Sequence, residues 1–295
     1  MLPQHPTAEP GFRAAVIGSP IGHSKSPLLH AAAYRLLGIE CDYVAVEVEE
    51  ATLEGFVGDV RRDPRWRGLS VTMPLKAAVA RLADDTSDLA RVLGVVNTLV
   101  ISGGGGAPAR LVGHNTDVAG VANALAGAGV RRPERAVILG GGGTAAAAVA
   151  GLADLGASGV CVLVRRPGAA ADLVRIGAAL GVAVELGQWR QAAGALRDAD
   201  VVVSTLPPRA ADPLAADLSD GSLFRTDGTL LDVAYDPWPS AVAAAWEAAG
   251  GTIVPGLDML LHQAVEQVRL FFPEVPQDRT PVLDAMCDAV GAARR

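Results

Sequence analysis

A chain of 295 residues, 50% hydrophobic and 19% charged, has enough apolar material for two moderate cores, which excludes a charge-rich disordered polymer and favours two domains. Lys and Arg number 25 against 32 Asp and Glu, a net charge of −7 with no Lys/Arg run longer than a pair, which excludes a broad nucleic-acid surface. Three scattered cysteines, no basic-then-apolar leader and no charge-free run long enough for a bilayer lead us to expect a cytoplasmic protein with no membrane partner.

In chain order, "FRAAVIG" predicts a strand, "SPLLHAAAYRLLG" a helix ended by Gly38, and "CDYVAVEV" a second strand. "ATLEGFVGDVRR" predicts a helix, "GLSV" a strand and "PLKAAVARLA" a helix, with Pro74 near the helix start, where its missing N–H costs nothing. "VVNTLVIS" and "ARLVGHNTD" flank "GGGGAP" as a hairpin, and the glycine run at 103–106 reads as a flexible turn. After the helix "VAGVANALAGAG" a second unit begins. Its first segment, "RAVILGGGGTAAAAVAGLADLG", reads as strand, glycine turn and small-residue helix. "CVLVRR", "VAVEL", "DADVVVST", "LLDVAY" and "GTIVPG" supply further strands, with helical spans between most of them. The helices "LDMLLHQAVEQVRLFF" and "PVLDAMCDAV" are expected to return to the first domain. This alternation predicts an α/β protein with mostly parallel, doubly wound sheets, divided at 1–117, 118–255 and 256–295.

The glycine turn carries Gly140, Gly142 and Ala145 as G-x-G-x-x-A between a strand and a helix, the setting in which this spacing binds a dinucleotide. Gly140 permits the tight turn, Gly142 admits the pyrophosphate to the backbone, and Ala145 lets helix and strand pack closely. An NAD site places Asp or Glu at the end of the next strand to bind the ribose hydroxyls. Here that strand, "VCVLV", ends in Arg165, Arg166 and Pro167. Two guanidinium groups suit a 2′-phosphate, so the cofactor read from these residues is NADP.

The first domain carries polar groups at strand-to-helix transitions. Ser24 and Ser26 precede a helix, where either can serve as a cap. Thr72 stands before Pro74. Lys76 falls in the first helical turn, where a cation works against the helix dipole. Asn97 lies at a strand, and Asp117 lies at a helix start, as an N-cap or as a partner for Lys76 in proton transfer. Together such groups suit a small polyhydroxylated substrate. His23, His30, His114 and His262 read as loop, packing or surface residues. No clustered His, Cys or carboxylate set predicts a metal.

These motifs, with "STLPP", "DVAYDPWPS" and "GLDMLLHQA", follow one another from about Val16 to Gln263 in the order and spacing of the shikimate dehydrogenase family, which the chain closely resembles. The resemblance implies an N-terminal substrate-binding domain, a Rossmann-type NADP-binding domain and C-terminal helices packed back on the first. It implies reversible reduction of 3-dehydroshikimate to shikimate by NADPH, with hydride transfer at the C3 carbonyl and Lys76 and Asp117 assisting proton transfer. It makes Ser24, Ser26, Thr72, Asn97, Asp117, Tyr235 and Gln263 substrate contacts. It makes Gly140, Gly142, Gly143, Arg165, Arg166, Thr205 and Gly256 cofactor contacts.

Two departures stand out. Ser70 replaces a frequent asparagine and loses its amide donor, so Ser70 is set aside as a ligand. Pro167 replaces a hydroxyl residue after the arginines. An NAD-preferring quinate/shikimate dehydrogenase and a non-catalytic shikimate/NADP sensor are the competing functions, and monomer and homodimer both stay open.

Overall fold

The computed structural model describes residues 11–103, 109–219 and 224–294. The glycine run expected to form a flexible turn falls, from 104 onward, outside the described residues, as does the N-terminal stretch read for a leader. The chain forms two compact units, Met1–Ala90 with Val95–His114 and Ala264–Arg295, and Arg91–Gly94 with Asn115–Gln263.

In chain order the first unit begins with β1 (Phe12–Gly18), α1 (Ser26–Leu37), β2 (Cys41–Glu47), α2 (Glu50–Arg62), β3 (Trp66–Val71), α3 (Lys76–Leu82) and β4 (Asp85–Thr86). Helix α4 (Asp88–Leu93) then leads to β5 (Thr98–Ser102) and β6 (Arg110–His114). The sheet order is β2-β1-β3-β5-β6-β4. Strand β1 runs parallel to both neighbours, whereas β5 is antiparallel to β3 and to β6. The hairpin expected across "GGGGAP" is therefore present, and it makes this sheet mixed. Leu69, Leu99 and Leu111 are fully buried on it. Gly38 ends α1 in the left-handed conformation.

Helix α3 starts two residues later than its sequence predicts. Pro74 lies in a turn closed by the Leu75 N–H on the Thr72 carbonyl at 3.0 Å, so the first helical residue is Lys76.

The second unit continues through α5 (Asp117–Gly127), β7 (Ala136–Leu139), α6 (Gly143–Asp154), β8 (Gly159–Val164), α7 (Asp172–Leu180) and β9 (Ala183–Gln188). It goes on with α8 (Ala192–Arg197), β10 (Val201–Ser204), α9 (Asp212–Ser219), β11 (Thr229–Asp232), α10 (Ala241–Ala248) and β12 (Thr252–Pro255). All of its strand pairings are parallel, in the order β9-β8-β7-β10-β11-β12. This is the doubly wound order, and the winding reverses between β7 and β10, where such sheets bind ligands outside their strand ends. The central strands are short apolar runs buried on both faces, as parallel strands covered by helices must be. Helix α6 is buried throughout Ala145–Leu152, which small side chains make possible.

Helix α11 (Gly256–Phe271) has its residues to Gln263 in the second unit and those from Ala264 in the first. Within the first unit α12 (Thr280–Val290) packs on α1, and Phe272 meets Tyr34 and Phe12 with ring centroids 5.3 and 5.9 Å apart. No described helix is long and apolar enough to cross a membrane.

Candidate active site

In the first unit the predicted polar residues gather at one end of the sheet. Ser24 and Ser26 follow the C-terminal end of β1, and Thr72 and Lys76 follow that of β3. Because β5 is antiparallel to β3, Asn97, just before β5, begins where β3 finishes. Backbone bonds lock these segments together. Thr72 N–H donates to Ile17 at 2.9 Å, Ser19 N–H to Met73 at 3.1 Å, Val71 N–H to Asn97 at 2.7 Å and Val96 N–H to Lys76 at 3.0 Å.

Neither serine caps α1, whose N-cap is Lys25 with no side-chain cap bond; Ser24, one residue earlier, accepts the Ser26 N–H at 3.3 Å. Ser26 is buried as the first helical residue. Lys76 is half-buried at the first position of α3, and that helix has no acidic residue in its first turn. The ammonium thus stands at the positive end of a helix, an unfavourable place that stability alone does not select. Asn97 is buried, and its Oδ1 accepts the Thr98 hydroxyl at 2.8 Å.

The histidines are structural in setting. His23 is exposed. His114 is half-buried, and burial lowers its pKa. His30 is fully buried against Tyr43, and desolvation lowers its pKa to about 4, so at neutral pH it is an uncharged packing group.

In the second unit, Asp117 is buried as the first residue of α5. The N-cap position belongs to Thr116, so Asp117 is not the cap. The Thr116 hydroxyl donates to Gln263 Oε1 at 3.4 Å, and Gln263 Nε2 donates to the Leu260 carbonyl at 2.9 Å. Gln263 is therefore oriented next to the start of α5. Tyr235 lies half-buried in the segment after β11, where burial foremost, and then Asp236, raise its pKa.

The glycine turn after β7 has the form its sequence predicts. Gly140 has φ +104°, and a Cβ there would come within 2.5 Å of Thr205 Oγ1, so both the backbone angle and the space require glycine. The Thr205 hydroxyl donates to the Leu139 carbonyl at 2.8 Å, holding β10 against the turn. Gly142 is exposed at the N-cap of α6, with open space where a side chain would be, and Gly143 is the first helical residue. Their N–H groups at a helix N-terminus suit a pyrophosphate.

A cavity of about 520 Å³ opens beside this turn, lined by Gly140, Gly141, Arg165, Arg166, Trp189 and Leu206 among others. Both arginines are exposed, as a phosphate-binding pair must be before it meets its ligand. The residues present therefore fit a phosphorylated dinucleotide. Gly256 begins α11 pressed against the backbone at the end of β11, where a Cβ would lie 2.2 Å from the Val233 carbonyl oxygen.

Trp189 is a lining residue that the sequence reading missed. Its signal was a single indole directly after β9 in a chain with 4% aromatics. Ser70, set aside as a ligand, has its hydroxyl engaged by Tyr43 and Gln267 at 2.6 and 2.8 Å. Among the described residues no three His, Cys, Asp or Glu side chains are grouped to hold a metal.

The model of the shikimate dehydrogenase substrate binding domain matches residues 16–99. The NADP(+) shikimate dehydrogenase of Sphingopyxis alaskensis is 37% identical over 274 residues, covering 93% of this chain and 95% of its own. The crystal structure of Mycobacterium tuberculosis shikimate dehydrogenase superposes with a TM-score of 0.82 at 42% identity, covering 96% of this chain and all of that one. The Thermus thermophilus shikimate 5-dehydrogenase in complex with NADP(H) and shikimate gives 0.75 at 30% identity, covering 94% and 99% of the two chains.

Proposed function

The chain belongs to the shikimate dehydrogenase family, and from that premise we propose that it catalyses the reversible, NADP-dependent reduction of 3-dehydroshikimate to shikimate. One observation carries the cofactor side of this reading. Arg165 and Arg166 line the cavity beside the glycine turn at the strand end where an NAD site needs a carboxylate. In this reading the first unit brings Ser24, Ser26, Thr72, Lys76 and Asn97 to the substrate, and the second brings Asp117, Tyr235 and Gln263 together with the NADP site.

NADPH, held in the second unit, would supply the hydride that the C3 carbonyl carbon needs. The glycine turn and the α6 N-terminus hold the pyrophosphate, Arg166 and Arg165 hold the 2′-phosphate, and Thr205 and Gly256 shape the rest of the cofactor site. Ser24, Ser26, Thr72, Asn97, Tyr235 and Gln263 bind the substrate's oxygens and orient its ring. Lys76 stabilises the negative charge that develops on the carbonyl oxygen and delivers the proton to it; in the oxidative direction it takes that proton back. Asp117 orients the substrate and assists the same transfer.

The test is direct. Purified protein oxidises shikimate with NADP at an efficiency well above that with NAD. Absence of turnover with either cofactor across several pH values would sink the assignment. Binding of shikimate and NADP without turnover would make the protein a sensor, and a higher efficiency with quinate and NAD would reverse substrate and cofactor preference together.

A further inference from the structure

Five side chains of the first unit form a single hydrogen-bonded chain, and the Ser26 hydroxyl stands beside its first member, the Tyr43 phenol. Tyr43 donates to Ser70 Oγ at 2.6 Å, and Ser70 donates to Gln267 Oε1 at 2.8 Å. Gln267 Nε2 donates to Thr98 Oγ1 at 3.1 Å and to the Asn97 carbonyl at 3.3 Å. Thr98 donates in turn to Asn97 Oδ1 at 2.8 Å. All six residues are buried, Gln267 to 1% exposure, and the His30 ring stacks on Tyr43 with centroids 3.8 Å apart.

From Tyr43 to Asn97 the chain has one direction, and the direction has a consequence. A hydroxyl has one proton to give, so a hydroxyl that donates at one link must accept at the one before it. A carboxamide has a donor end and an acceptor end that exchange on a half-turn. The Asn97 backbone carbonyl can only accept, so the end of Gln267 that faces it is the amino end, and the carbonyl end is left to take the Ser70 proton. With the Thr98 oxygen accepting from that amino group, the Thr98 proton goes to Asn97 Oδ1. The carbonyl end of Asn97 is thus engaged inside the unit by Thr98, so a substrate oxygen bound at this carboxamide would be met by Nδ2. A reversed Asn97 would present an acceptor to the ligand and take from the Thr98 proton the oxygen it now bonds, leaving that hydroxyl to accept at both links.

We propose that Gln267 is a positioning residue for substrate, which fixes the carboxamide of Asn97 as a donor and, through Ser70 and Tyr43, ties that orientation to Ser26 on α1. This rests on the reading that Asn97 and Ser26 touch the substrate. Gln267 acts only through them. It is supplied by α11, so a helix late in the chain sets the hydrogen-bonding sense of a group just before β5, in the N-terminal half.

Shikimate and NADP binding to the full-length protein, measured separately by calorimetry, provide the test, with steady-state kinetics beside them. Gln267→Leu, close in volume and unable to relay, is expected to weaken shikimate binding about tenfold and to raise KM more than it lowers kcat, the loss expected of one buried hydrogen-bond relay. NADP affinity stays unchanged. In an Asn97→Ala background the same substitution has little further effect on shikimate, because the group it positions is gone. Thr98→Val breaks the next link without changing side-chain shape and is expected to repeat the result, which serves if Gln267→Leu does not fold. Unchanged shikimate affinity in the folded variants, or losses that simply add to that of Asn97→Ala, would overturn the proposal. A wild-type protein that binds no shikimate would overturn the functional reading beneath it, a result visible before any variant is made.

Discussion

Ser240 donates a 2.5 Å hydrogen bond to Asp232 Oδ2, and the segment closed by that bond carries Tyr235. The same Ser240 oxygen accepts the Ala243 N–H at 3.1 Å, capping α10, while Asp232 Oδ1 accepts the Ala234 N–H at 3.4 Å. Asp232 is buried, and desolvation raises its pKa against the opposing pull of the Ser240 and Ser204 hydroxyls. Ser240→Ala removes a cap and a buried carboxylate's partner together. We expect a loss of about 2 kcal/mol in urea unfolding and a higher KM for shikimate through a loosened Tyr235. Ser240→Thr, which keeps the hydroxyl, is expected to retain most of both.

For Lys76 the expected effect is on turnover. Lys76→Ala is predicted to lower kcat by about 10²–10⁴-fold, the usual range for a general acid, with NADP affinity intact. Asp117→Asn is predicted to weaken shikimate binding and to lower kcat as well. Near-normal kcat in Lys76→Ala, with badly weakened shikimate binding, would demote the lysine from catalyst to ligand.

Arg166 and Trp189 line the same cavity and separate two contributions to cofactor binding. Only NADP carries the 2′-phosphate, so Arg166→Ala is expected to weaken NADP about ten- to a hundredfold and NAD little. Trp189 offers an apolar ring to the part both cofactors share, so Trp189→Ala is expected to weaken them alike. Equal losses for the two cofactors in Arg166→Ala would reassign that arginine to adenine stacking. The parallel measurement on Arg165→Ala tells which arginine discriminates.

His30 gives the first unit an acid limit. Burial lowers its pKa from the ordinary 6.5 to about 4, opposed by the hydrogen bond between its Nδ1 and the Ser26 carbonyl. A base held neutral in the folded state takes up a proton more readily once unfolded, so acid favours unfolding. The penalty starts as pH falls through 6.5 and is complete below about 4. Between pH 7 and pH 5 this one group is expected to cost about 2 kcal/mol. Urea midpoints of the wild type and of His30→Asn at the two pH values check it; the variant should lose that share of the pH dependence.

What could be read along the chain was whatever a few adjacent residues decide. The runs at 136–139, 201–204 and 229–232 are apolar enough to announce buried strands, and the Gly140 turn announces itself because its angle and its space both admit only glycine. The two-residue strand β4 was not legible. It exists because β6 pairs with it, and because the Asp84 carboxylate just before it accepts the Leu111 N–H at 2.8 Å. The later start of α3 depends on a turn that binds Thr72 to Leu75, a choice periodicity does not register. The task of Ser70 depends on Gln267, nearly two hundred positions away, and the place of Trp189 depends on β9 lying alongside β8. Apart from that local Thr72–Leu75 turn, each of these is set by a distant partner, to which local pattern has no access.

The division of the chain between the units also fixes an order of events during synthesis. The second unit is almost one unbroken stretch, Asn115–Gln263, to which only Arg91–Gly94 is added from upstream. Every part of it is translated before the rest of α11 and α12 are made. The first unit needs Phe271 and Phe272, which bury against its sheet and against Tyr34, and it needs α12 on α1. Domains made first ordinarily fold first. Here the half translated first is the half completed last, and until release its α1 surface and aromatic cluster are uncovered. A chain cut after Gln263 and released should therefore resist protease across the second unit while remaining open to cleavage in the first.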